Sequence, residues 1–188
     1  MGWGILTEKQ QKVVAAHVAG RQVHDLGAGD LLLSHILLAI GSKEVVAIDS
    51  DSKLVQLEHH PSIKKVVSRF SMYHGEIDVA FVSWPLNRYL PGLIECVTRA
   101  KMVIYLGKNT EGTCCGTPEL FEHFRKRKLI AHVPHRKNTL IVLGDKRKRS
   151  REALYEEKAG MDMSKTYMWK GPKNEPYDQP RENSEQYV

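Results

Sequence analysis

At 188 residues with 41% hydrophobic side chains, the chain can bury one substantial core, and its length argues for one compact domain with an appendage rather than two full domains. Its single strongly apolar run, Leu31 to Ile40, is too short to cross a bilayer and is interrupted by Ser34 and His35. Met1 to Gly20 lacks the basic start, apolar middle and small-residue cleavage site of a secretory leader, so cytoplasmic residence is expected. Three cysteines, with Cys114 and Cys115 adjacent, make neither a disulfide framework nor the spaced pairs of a structural zinc site. The formal charge of +6 is concentrated in Arg125 to Lys128, in Arg136 and Lys137, and in Lys146 to Arg151, which suits an anionic partner or a solvated face equally well.

Along the chain, Thr7 is placed to cap a helix in which Val13, Val14, His17 and Val18 recur at helical spacing until Gly20. Gln22 to Leu26 reads as a short strand broken by Gly27-Ala28-Gly29, and Leu31 to Ile40 as an apolar helix ended by Gly41. Glu44 to Asp49 has the continuous apolar character of a strand buried on both faces. Asp51 to His59 is expected to be helical up to Pro61, Ile63 to Phe70 to form a third strand and Ile77 to Ser83 a fourth. Pro91 fits the first turn of a helix running to Ala100, Met102 to Leu106 a fifth strand, and Thr117-Pro118 the start of another helix carrying Phe121 and Phe124. Leu129 to Pro134 and Thr139 to Leu143, joined by the polar turn His135 to Asn138, make an antiparallel pair.

This alternation predicts an α/β fold: a doubly wound, mostly parallel seven-stranded sheet with an antiparallel C-terminal hairpin, occupying residues 1–145. Beyond it, charged residues and Pro172, Pro176 and Pro180 dominate, so 146–188 reads as a basic, partly disordered tail.

In such a sheet, ligands bind at the carboxyl ends of the strands where strand order reverses. Two signals fall there. Val23-His24-Asp25-Leu26-Gly27-Ala28-Gly29-Asp30 spans the end of the first strand and the turn after it, and its glycines let backbone pass close to a ligand. Asp49 ends the second strand twenty residues after Gly29, where a carboxylate can accept both hydroxyl hydrogens of a ribose, with Ser50 beside it. A nicotinamide-dinucleotide fingerprint would need glycine at position 32, which is Leu32.

The segment closely resembles the first motif of the Rossmann-like class I S-adenosylmethionine-dependent methyltransferases, commonly Asp-Leu-Gly-Ala-Gly-Asp followed by Gly, with an acidic residue ending the second strand. The resemblance spans roughly residues 7–144. It implies S-adenosylmethionine as cofactor, with Gly27 and Gly29 against its methionine moiety, Asp49 at its ribose, Asp25 and Asp30 supporting the turn and the amino-acid end, and Ala28 and Ser50 among the cofactor-binding residues. Leu31 departs from the pattern, standing where a third glycine is frequent. After the fourth strand, Ser83-Trp84-Pro85-Leu86 is similar in part to the Asn/Asp/Ser-Pro-Pro-aromatic motif of methyltransferases that modify amino groups. The catalytic assignment to Ser83, Trp84 and Pro85 follows from that resemblance: acceptors gripping an amine's hydrogens orient its lone pair. A strand ending in a proline turn accounts for these residues equally well.

The reading is a methyltransferase acting on an amino group of nucleic acid or protein. Two others stay open: a noncatalytic nucleotide-fold module engaging RNA or a protein partner, and an enzyme that cleaves S-adenosylmethionine itself. Metal binding is not expected, because neither His59-His60 nor His132 and His135 converge on one face.

Overall fold

The computed structural model describes residues 6–86, 90–108 and 116–146. The tail from 147 onward and Cys114-Cys115 therefore lie outside the described residues. Seven strands form one sheet: β1 (Gln22–Leu26), β2 (Glu44–Asp49), β3 (Ile63–Val67), β4 (Val79–Ser83), β5 (Met102–Gly107), β6 (Arg127–Pro134) and β7 (Thr139–Lys146). Their order across the sheet is β3-β2-β1-β4-β5-β7-β6, parallel throughout except that β7 runs antiparallel to both neighbours. Between β1 and β4 the winding reverses direction, which leaves a crevice at their carboxyl ends.

Among the described residues, four α-helices cover the two faces: α1 (Glu8–Val18), α2 (Leu32–Ala39), α3 (Leu90–Arg99) and α4 (Pro118–Arg125). On one face Val14, Val18 and Leu37 of α1 and α2 pack against Val23, Ala47 and Phe81. On the other, Leu93, Val97 and Leu120 of α3 and α4 pack against Leu26, Ile48 and Val82. The inner strands β2, β4 and β5 are buried on both faces, as their apolar composition requires. No helix among the described residues is long and apolar enough to cross a membrane.

Helix starts follow local chemistry. In α1 the Thr7 hydroxyl accepts from Gln10 N (3.2 Å) while Gln10 Oε1 accepts from Thr7 N (3.0 Å), a reciprocal capping box. Pro118 opens α4, where its missing N–H costs nothing.

Two expectations require correction. Residues 51–59 do not form an α-helix; a single 3₁₀ turn, Ser52–Gln56, is capped by Asp51, and the chain is irregular beyond it. Only Leu54 of this segment is buried, Leu57 packs partly buried beside it and Val55 is 62% exposed, so an α-helix here would bury too narrow an apolar face, and a short helix with little packing is unstable. The strand expected over 63–70 ends at Val67, and Phe70–Met72 instead turns as 3₁₀. The β2–β3 and β3–β4 connections thus carry no α-helix, and the segment after β3 is free to fold back toward the crevice.

Candidate active site

A cavity of about 660 Å³ opens at the carboxyl ends of β1, β2, β3 and β4, on the face covered by α3. That volume lies within the roughly 300–1,000 Å³ typical of small-molecule sites.

One wall is the turn after β1. Gly27 N and Ala28 N both bond to Ile48 O (2.8 and 3.2 Å), continuing the β1–β2 ladder as the chain turns. Gly27 (φ +90°) and Gly29 (φ +51°) occupy the left-handed region, which side chains rarely adopt. Asp49 ends β2 beside this turn: its Oδ2 accepts from Gly29 N at 3.0 Å and its Oδ1 from Asp51 N at 3.0 Å. Each oxygen keeps a further lone pair for a ligand hydroxyl. Gly27, Asp49 and Ser50 line the cavity.

The other residues of the turn stand behind it. Asp25 is fully buried; its Oδ2 accepts from Ser34 Oγ of α2 (2.6 Å), whereas Oδ1 has no hydrogen-bond partner. Burial pushes this carboxyl up to about 6, against the Ser34 hydrogen bond and with the help of the Asp49 and Asp30 charges. Ala28 is buried in the core, Gly29 is exposed, and the exposed Asp30 takes Leu32 N on Oδ1 (3.1 Å), capping α2 from one position before its formal cap.

That formal cap is Leu31, at φ +65°. The backbone conformation here is one that glycine adopts without cost. Leu31 meets it by turning its side chain into the α1/α2 face of the core, where it is 1% exposed, so the opening at Gly27 is not plugged.

The opposite wall is Ser83, Trp84, Pro85 and Leu86. Trp84 N donates to Leu106 O (2.9 Å), holding the chain to β5 one residue past the end of β4, and Pro85 then removes the next donor. Trp84 sits at φ +47°, an outlier for a bulky residue that costs about 1–3 kcal/mol and that tends to occur at functional sites.

The remaining wall was not visible in the sequence. Ser68, Arg69, Phe70 and Ser71, together with Gly92 and Leu93 of α3, complete the cavity. Ser68 N donates to Asp49 O (2.9 Å), turning the chain inward after β3. A Cβ on Gly92 would lie 2.8 Å from the Phe70 carbonyl carbon and closer still to Ser71 N, so only glycine admits this contact between α3 and the 3₁₀ turn. Below, His24 Nε2 meets Tyr73 Oη at 2.9 Å, and Arg99 donates to the Gly75 and Tyr73 carbonyls, fastening the same segment.

No protein-family model matches the chain, and a search of curated proteins finds no match. Solved structures do match. The chain is similar to the 1,6-didemethyltoxoflavin-N1-methyltransferase of Burkholderia thailandensis, whose structure holds 1,6-didemethyltoxoflavin and S-adenosylhomocysteine: 18% identity, 74% of this chain and 77% of that one, TM-score 0.55. It is similar to the N-methyltransferase NodS of Bradyrhizobium japonicum WM9 at 10% identity, 73% and 93% coverage and TM-score 0.56. It is also similar to the ribosomal protein L11 methylase of Lactobacillus delbrueckii subsp. bulgaricus at 14% identity, 72% and 77% coverage and TM-score 0.51. The fold is that of the class I S-adenosylmethionine-dependent methyltransferases, with the strand order and C-terminal antiparallel hairpin of that class.

Proposed function

We propose that this protein is an S-adenosylmethionine-dependent methyltransferase that acts on an amino group of a nucleic acid or protein. The observation that carries the reading is the 3.0 Å bond between Asp49 Oδ2 and Gly29 N, which brings the acid ending β2 against the glycine turn at the mouth of a cavity closed opposite by Ser83-Trp84-Pro85.

The residues present fit the cofactor. Gly27 admits close approach of a ligand, Asp49 retains acceptor capacity for ribose hydroxyls with Ser50 beside it, and Asp25 holds an orphaned buried oxygen under the turn. Asp25, Asp30 and Asp49 together make this side of the site favourable for a cation. When bound, S-adenosylmethionine supplies a methyl group on a positively charged sulfur, an electrophile that calls for positioning more than for a strong base. Ser83 Oγ and the Trp84 carbonyl accept the hydrogens of the incoming amine, fix its lone pair and relieve the positive charge that develops on nitrogen. Pro85 and the strained Trp84 backbone keep those acceptors rigid.

Calorimetry with S-adenosylhomocysteine tests the site, and transfer of labelled methyl to RNA, DNA and protein fractions tests the activity. Asp49→Ala should abolish nucleoside binding; unchanged affinity would refute the ribose assignment.

A further inference from the structure

Charge is spread unevenly along the carboxyl edge of the sheet, with Lys53 and Arg69 following β2 and β3 among acids. At the ends of β1 and β2 stand Asp30, Asp49 and Asp51, while beyond the end of β5 stand Lys108, His135, Arg136 and Lys137, all four exposed. Among the described residues this second stretch contains no carboxylate. The hairpin register explains the placement: Gly107 of β5 pairs with Thr139 of β7, so the β6–β7 turn, residues 135–138, projects from the same edge as the cavity. It lies two strand spacings from β4, roughly 10 Å from the Ser83 side of the site.

This turn is held firmly. His135 N donates to Asn138 O (2.9 Å), and the buried Asn138 side chain accepts from Gln10 Nε2 of α1 at 2.8 Å. Gln10, itself wholly buried, also reaches Val133 O (3.4 Å) and closes the capping box of α1. A buried amide pair thus braces the base of the turn while its two middle residues, Arg136 and Lys137, face solvent. Neither takes part in an ion pair among the described residues, where four other Lys and Arg side chains do. Two cations that form no ion pair among the described residues, on a braced turn, are preorganised for an extended anion, because no described side-chain partner and little backbone freedom are given up on binding.

We infer that the β6–β7 turn is a phosphate-binding rim that guides the phosphodiester backbone of a nucleic acid toward the cavity, making the acceptor a nucleic acid. The inference rests on the methyltransferase reading for which cavity the backbone approaches. A Lys- or Arg-rich protein tail would be repelled by this rim, and the acidic side of the edge is occupied by the cofactor in that reading.

The test is fluorescence anisotropy of the full chain with labelled single-stranded RNA and DNA oligonucleotides across a salt series. Each phosphate contact on a single strand contributes about 0.7 to the slope of log affinity against log salt, so Arg136→Glu/Lys137→Glu should lower the slope by about 1.4 and the affinity about 25-fold near 0.1 M salt. Arg136→Ala/Lys137→Ala should lose nearly as much. Lys43→Glu/Lys101→Glu, exposed cations before β2 and β5 at the opposite edge, should retain the wild-type slope within a few tenths. An equal loss in that control, an unchanged slope in the turn variants, or no oligonucleotide binding by wild type would each overturn the inference. Methyl uptake by a Lys-rich peptide without oligonucleotide binding would assign a protein acceptor in its place. Calorimetry with S-adenosylhomocysteine keeps the two readings apart. Lost oligonucleotide affinity with intact nucleoside binding supports the rim, whereas absent nucleoside binding by wild type removes the methyltransferase reading regardless of the rim.

Discussion

Two neighbours on β1 place opposite demands on pH. Burial raises the Asp25 carboxyl from 3.8 to about 6, and burial lowers the His24 imidazole from 6.5 to about 4, the latter against the Glu44 and Asp78 charges. The folded protein therefore holds the Asp25 proton longer than the unfolded chain does. Its contribution is fully present below pH 3.8 and is lost as pH rises through about 6, a change of roughly 3 kcal/mol at about 1.4 kcal/mol per unit. His24 runs the other way: its contribution is present above pH 6.5 and is lost as pH falls through about 4, again roughly 3 kcal/mol. The two windows overlap, so their slopes largely cancel in the wild type. Asp25→Asn keeps the shape and the Ser34 hydrogen bond but cannot ionise, which exposes the His24 slope alone. Guanidinium unfolding of both proteins between about pH 4 and 7.5 should show the stability of Asp25→Asn, relative to wild type, rising by roughly 3 kcal/mol with pH. A difference that stays constant across that range would show that Asp25 is not a buried acid with a raised pKa, and the account of the turn would have to be rebuilt.

Leu31 and Gly92 give two further expectations. Leu31→Ala should cost about 2–4 kcal/mol through lost core volume. Because φ is +65°, Leu31→Gly should be no less stable than Leu31→Ala, reversing the usual helix order; thermal melts that rank Ala clearly above Gly would contradict the left-handed cap. Gly92→Ala should cost about 1–3 kcal/mol and weaken S-adenosylhomocysteine binding in calorimetry, since α3 must move away from Phe70 and Ser71; a variant with wild-type melting and affinity would remove that contact from the cavity wall.

The layered α/β plan is legible in local patterning alone. β1 and β2 have the residue bounds that the glycine break after Leu26 and the apolar run ending at Asp49 predict, and Thr7, Gly27, Gly29 and Pro118 carry local chemistry that does not depend on distant contacts. The spacing of Asp49 from Gly29 was legible for the same reason, because adjacent parallel strands bring consecutive strand ends together whatever surrounds them. Local patterning failed at 51–59, expected to be helical, where Leu54 alone is buried, Leu57 packs partly buried against the core and Val55 is exposed. It gave no indication that Ser68 to Ser71 would fold over the site, since that depends on Gly92 in α3 and on the Asp49 carbonyl, both remote in the chain. Nor could it show that Leu31 turns inward or that Gln10 braces the turn beside Arg136, 126 positions away by number. Strand ends are set by short-range backbone chemistry, which a sequence displays. The walls of a cavity are set by which distant surfaces meet at van der Waals distance, and only the packed chain decides that.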